Sequence, residues 1–218
     1  MIMDLKAKIK EVTRQLTWRV EYQPNNTKDL EILSNPETKT HTIYVPDNPK
    51  DPVGPLEHLH ELAHAVLSER DLFLAGGVYD LNIQDHRYNL VPAIRAVDDW
   101  WADYLVDSWC PDEARADIAD HLEMIYKALQ FKAIQPHEFF GIALIIAEGI
   151  YYCKAEITLP GHLQPAVQAF LDHPPDKPSR EAAEEIAQVL FDVTGINLKI
   201  KFIESDGKPF WTVEKKGE

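Results

Sequence analysis

A chain of 218 residues, 45% hydrophobic and 27% charged, is long enough for a sizeable core and has the composition of a globular protein. Its formal net charge of −14 argues against nucleic-acid binding through the phosphate backbone, which needs a basic face. Two cysteines, Cys110 and Cys153, are too few for a disulfide framework, and their spacing is no metal signature. The segment from Met1 to Lys6 lacks the apolar core of a signal peptide, so the expected compartment is the cytoplasm, with no membrane partner. Oligomeric state leaves no mark in the sequence.

The N-terminal pattern predicts a short helix over 4–15. A strand follows where Leu16, Trp18, Val20 and Tyr22 alternate with polar residues. Asn25-Asn26 marks a turn, Leu30 to Leu33 a second strand and His41 to Val45 a third. A proline-studded stretch from Pro46 leads to Pro55. That proline suits a first helical position, because its missing N–H would be unpaired there anyway. The helix it opens runs to about Glu69. Asp71 to Val91 reads as a long loop containing Gly76-Gly77.

Further helices are expected over about Pro92 to Trp109, Asp112 to Lys132, Pro136 to Ile157, Pro165 to Leu171 and Arg180 to Val193. Ser179 offers the last an N-cap and Gly195 a stop. A hairpin, Leu198 to Glu204 and Phe210 to Glu214, closes around Asp206-Gly207. Phe139 to Cys153 is nearly continuous apolar sequence. It is shorter than the ~20 residues that span a bilayer, and reads as a buried core helix. Glu148 inside it is either hydrogen-bonded at a helix crossing or functional.

The chemistry concentrates in His60-Glu61-Leu62-Ala63-His64, an HExxH pattern. Residues four apart share one helix face, so His60 and His64 can chelate one metal ion. Leu56, Leu59, Leu62, Ala63, Val66 and Leu67 form the apolar face, and the two histidines lie at its margin. His58 points away and reads as a surface histidine. Catalytic zinc usually takes three protein ligands and a water. The best source of the third is the helix holding Asp98, Asp99 and Asp103. Asp99 and Asp103 share a polar face with Ala96 and Ala102, whose small side chains permit close helix approach, while Asp98 turns to the apolar side. A solvated acidic face is the plain alternative. Glu148 is the reserve ligand.

His60-Glu61-Leu62-Ala63-His64 followed by Asp99-x-x-Ala102-Asp103 resembles the glutamate-zincin (gluzincin) metallopeptidases, and most nearly the soluble ImmA/IrrE-type peptidases. In these a second helix carries Glu-x-x-Ala-Asp or Glu-x-x-Ala-Asn, and short strands precede the HExxH helix. The resemblance covers about residues 40–107. It implies that His60 and His64 bind Zn²⁺, Glu61 is the general base, Asp99 is the third ligand and Asp103 orients a histidine. Asp99 stands where the family has glutamate, and its shorter side chain requires a nearer helix.

The expected fold is therefore α+β: a mostly helical zincin-like domain with a small N-terminal β-sheet and a C-terminal β-hairpin. Residues 1–109 would form the metallopeptidase core and 110–218 a helical extension, unless all form one compact domain. The expected activity is zinc-dependent hydrolysis of a peptide or protein substrate. The alternatives are a catalytically inactive zincin scaffold with a regulatory role, or a metal-dependent hydrolase of a non-peptide substrate. Tyr88, His86, Tyr152 and His162 are open candidates for an oxyanion partner. The strand His41 to Val45, ended by Pro46, is expected at a sheet edge, where an extended peptide can add as another strand.

Overall fold

The computed structural model describes residues 4–25, 30–47, 53–70, 87–131, 136–205 and 208–216. The fold is α+β. Among the described residues there are seven helices, a three-stranded sheet and a two-stranded hairpin. Two compact units divide the chain: Met1–Gly77 with Ala102–Ala114, and Val78–Trp101 with Arg115–Glu218.

The first unit opens with α1 (Leu5–Gln15), whose Asp4 cap accepts from Lys6 N and Ala7 N at 3.1 and 3.2 Å. Then come β1 (Arg19–Asn25), β2 (Glu31–Asn35), β3 (Thr40–Pro46) and α2 (Pro55–Glu69). Between β2 and β3 the Asn35 side chain accepts from Glu37 N and Thr38 N at 2.9 and 3.2 Å, and Lys39 reverses the chain at φ 50°. This turn lays β2 antiparallel against β3, and β1 pairs parallel on the other side.

The sheet order is thus β1-β3-β2, which corrects the expectation that His41 to Val45 lies at an edge. Pro46 removes a donor only at the end of β3, and Thr40 to Tyr44 pair on both sides. Pro24 lies in β1, which is an edge strand. A peptide cannot add to β3.

Buried residues of β2 and β3 face one another in register, Ile32 with Ile43 and Ser34 with His41. Helix α2 begins where the sequence places it, with Pro55 at its first position after Gly54. Its Leu59, Leu62, Ala63, Ala65 and Leu67 are buried. Both ends are pinned. Glu57 Oε1 accepts from Leu30 N at 3.2 Å. Glu69 accepts from Thr17 N at 2.8 and 2.9 Å, Thr17 Oγ1 at 2.8 Å, Trp18 N at 2.7 Å and His41 Nε2 at 3.2 Å. His41 Nδ1 in turn meets Ser34 Oγ at 2.7 Å, and Trp18 stacks on the imidazole with centroids 4.9 Å apart.

Removing Glu69 strands these donors. Glu69→Ala is expected to destabilise the fold by about 2–3 kcal/mol, less than a fully buried network because Thr17 is exposed. Chemical denaturation measures the loss. Burial holds the His41 imidazole below its ordinary pKa, against the opposing pull of Glu69, so the folded state favours neutral His41. Stability from this group is complete above the ordinary histidine value of about 6.5 and falls as pH drops below it. The stability difference between wild type and His41→Gln is expected to shrink between about pH 7 and pH 5. A pH-independent difference would contradict that account.

The remaining elements are α3 (Arg87–Trp109), α4 (Pro111–Phe131), α5 (Pro136–Tyr151), α6 (Gln164–Asp172), α7 (Arg180–Val193), β4 (Leu198–Ser205) and β5 (Lys208–Lys215). Helix α3 starts five residues before the expected Pro92, which sits inside it. Residues 87–91 of the expected loop are therefore helical, and 71–86 lie outside the described residues. Helix α5 stops at Tyr151 rather than Ile157. There Lys154 turns left-handed at φ 55°, and its Nζ donates to the terminal carbonyl of Tyr151 at 2.6 Å. Ser179 caps α7 and Gly195 follows at φ 75°, as the sequence implies.

In the second unit Trp100 is fully buried, with ring centroids 5.6 Å from Tyr151, 6.0 Å from Tyr152 and 5.6 Å from Phe170. Its Nε1 donates to His173 O at 2.9 Å. Among the described residues no helix is long and apolar enough to cross a membrane.

Candidate metal centre

Helix α2 presents His60 and His64 one turn apart, and α3 presents Asp99 and Asp103 with the same spacing. Ala96 and Ala102 of α3 are buried. One ligand atom from each of His60, His64 and Asp99 lies within 4.8 Å of the others. Those three residues can hold a metal ion. All three are half-buried.

The second carboxylate fixes the chemistry of the first histidine. Asp103 Oδ1 lies 2.8 Å from His60 Nδ1. A carboxylate only accepts, so in neutral His60 the proton sits on Nδ1 and Nε2 keeps its lone pair. That lone pair faces His64 Nε2 at 3.0 Å, with the rings 80° apart. His64 Nε2–H is then the donor of this contact. Two nitrogens on a tetrahedral zinc stand about 3.3 Å apart, so the imidazoles need almost no movement to share an ion. A metal held there would take the place of the bridging proton.

Asp103→Asn is expected to weaken metal affinity by about 10–100-fold, because the amide can present its NH₂ to Nδ1 and disturb the tautomer. Competition with a chromophoric chelator measures it. An affinity equal to wild type would remove Asp103 from the site.

The other acids fall elsewhere. Asp98 is buried, as its place on the apolar side implies, and its Oδ1 has no hydrogen-bond partner among the described residues. Burial, with Asp99 adding to it and Arg95 opposing, pushes its carboxyl well above the usual range. Glu148 is buried within α5 and is not in the metal-competent group. Glu61 is half-buried, next to His60 on α2. His58 meets Tyr22 Oη through Nε2 at 3.0 Å, on the sheet side of α2.

Of the oxyanion candidates, Tyr152 is buried and His162 is exposed. His86 and the Tyr88 side chain lie outside the described residues. Sequence reasoning missed the Ser34–His41–Glu69 network at the far end of α2. Its only trace is that Ser34 and His41 occupy inward-facing strand positions, where polar side chains require partners.

No protein-family model, curated protein or solved structure matches the chain. The functional reading therefore rests on the sequence motif and the geometry of the site.

Proposed function

We propose that the protein is a zinc-dependent metallopeptidase of the HExxH type, with the resemblance to ImmA/IrrE-type gluzincins as its background. The observation that carries this reading is the grouping of His60, His64 and Asp99 within 4.8 Å, with Asp103 holding His60 in its metal-ready tautomer. Two imidazoles and one carboxylate form the donor set of a catalytic zinc that keeps an open position. His60 Nε2, His64 Nε2 and an Asp99 carboxylate oxygen would hold the ion. Bound there, zinc supplies a Lewis acid that polarises a scissile carbonyl and acidifies water.

The chain's own part in the reaction is proton transfer. Glu61, partly exposed on the same helix, takes the proton of the attacking water on its carboxylate and passes it to the departing amine nitrogen. Its reach is set by α2, whose ends are fixed by Glu57 and Glu69. Asp103 keeps His60 from turning.

The test is incubation of the zinc-loaded protein with a mixture of unstructured peptides, read by mass spectrometry. Cleavage that disappears with a chelator and returns with zinc supports the reading. Intact peptides with a stoichiometrically loaded protein would leave a metal-binding scaffold without peptidase activity.

A further inference from the structure

His41 stands on the central strand of the three-stranded sheet with none of its side chain exposed. Strand β1 faces it with Val20, β2 with Ser34 and α2 with Glu69, while the Trp18 ring lies on the imidazole. Glu69 is the charged group that bears on it. The hydrogen bonds fix its neutral form. A carboxylate only accepts, so Nε2 carries the proton given to Glu69, and Nδ1 accepts from the Ser34 hydroxyl at 2.7 Å. Both ring nitrogens are then paired.

A second proton can go only to Nδ1. There it meets the Ser34 oxygen, and the hydroxyl has to turn its own hydrogen away within a residue that is 5% exposed. It also puts a full charge where water does not reach. Glu69 offsets part of that charge, but His41 Nε2 is the most distant of its donors at 3.2 Å, and Thr17 and Trp18 hold it at 2.7 to 2.9 Å. Burial accordingly holds the imidazole below its ordinary pKa, against the pull of Glu69. Opening the sheet to hydrate the ring would break ladder bonds on both sides of β3. Lifting Glu69 and Trp18 breaks only the clasp between them, at a surface where Thr17 is already exposed. The second route costs less.

We propose that the clasp of Glu69 on Thr17 and Trp18 is a proton-operated latch: when His41 is protonated, the last turn of α2 parts from the link between α1 and β1, and water reaches the imidazolium while the sheet stays paired. The turn that lifts is tied to the helix of the metal-binding pattern, since Ser68 Oγ donates to His64 O at 2.9 Å. In the opened form His41 has its ordinary value near 6.5 and in the closed form a lower one, so the opened form takes the proton first as pH falls. Opening grows by up to about tenfold per pH unit below about 6.5, and levels off once His41 is protonated in the closed form as well. Glu69 stays ionised across this range. Against burial, which raises its pKa, the bonds from Trp18, Thr17 and His41 hold its carboxyl below the ordinary value.

Amide hydrogen exchange of the full chain, read by NMR between about pH 7 and pH 5 and expressed as protection factors, tests this. The Trp18 amide, which donates to Glu69 at 2.7 Å, is expected to lose protection as pH falls, over the range in which the His41 ring signals report protonation. The amides of Thr42 and Ile43, in the paired centre of β3, are expected to keep theirs. In His41→Gln the side-chain amide can still donate to Glu69 and takes no proton, so Trp18 protection is expected to be independent of pH. The wild-type profile decides the matter alone should that variant fail to fold. Trp18 protection that is flat across the range, that falls together with that of Thr42 and Ile43, or that keeps its slope in a folded His41→Gln overturns the proposal.

Discussion

Glu61→Gln is expected to retain its zinc and to lose peptide hydrolysis by about 10²–10⁴-fold. The glutamine amide matches the glutamate in shape and cannot take a proton from water. His60, His64 and Asp99 are untouched by the change, so the metal stays. Among the described residues, the acids of α3 outside the metal group offer no ready replacement. Asp103 is committed to His60 Nδ1, and Asp98 is buried, which pushes its carboxyl well above the usual range. Metal analysis and single-turnover kinetics on the same preparation separate the two effects. Unchanged turnover would remove Glu61 from the mechanism, and lost metal would show that the substitution had damaged the site itself.

Asp99→Ala is expected to weaken zinc affinity by more than about 100-fold, beyond the effect of Asp103→Asn. Two imidazoles on adjacent turns hold an ion weakly, and the carboxylate completes the set while balancing its charge. The distinction between the two aspartates is geometric. Asp103 touches a histidine at the nitrogen facing away from the shared centre, and Asp99 contributes an atom to the centre itself. Asp99→Glu restores the longer side chain of the resembling family at the position that contributes an atom to the centre. Some recovery of affinity is expected there. Chelator competition across the three variants orders them, and an Asp99→Ala affinity equal to wild type would remove Asp99 from the coordination sphere.

What the sequence reveals of this protein is what repeats along a helix. Pro55 and the spacing of Leu59, Leu62 and Leu67 mark out α2, because caps and amphipathic faces are local. The pairs His60/His64 and Asp99/Asp103 were legible for the same reason: a turn of helix fixes each pair without knowledge of the rest. Sheet order was not legible. The placement of β3 between β1 and β2 depends on which strands meet, and the alternation of His41 to Val45 is the same at an edge or at the centre.

The start of α3 was missed because Pro92 reads as a first-turn residue, whereas a full turn precedes it. The end of α5 was missed because a lysine, Lys154, takes the left-handed position that sequence rules reserve for glycine. Glu69 joins Thr17, 52 residues away, and His41, 28 residues away, and contacts so distant leave no periodic trace.

The most direct measurement is the metal content of the purified full-length protein, prepared without chelator, given zinc and dialysed. Elemental analysis should find about one zinc per chain, as three ligands around one centre require, and none retained by His60→Ala. A wild type that retains no stoichiometric metal, or a His60→Ala variant that retains as much, would contradict the assignment of this site.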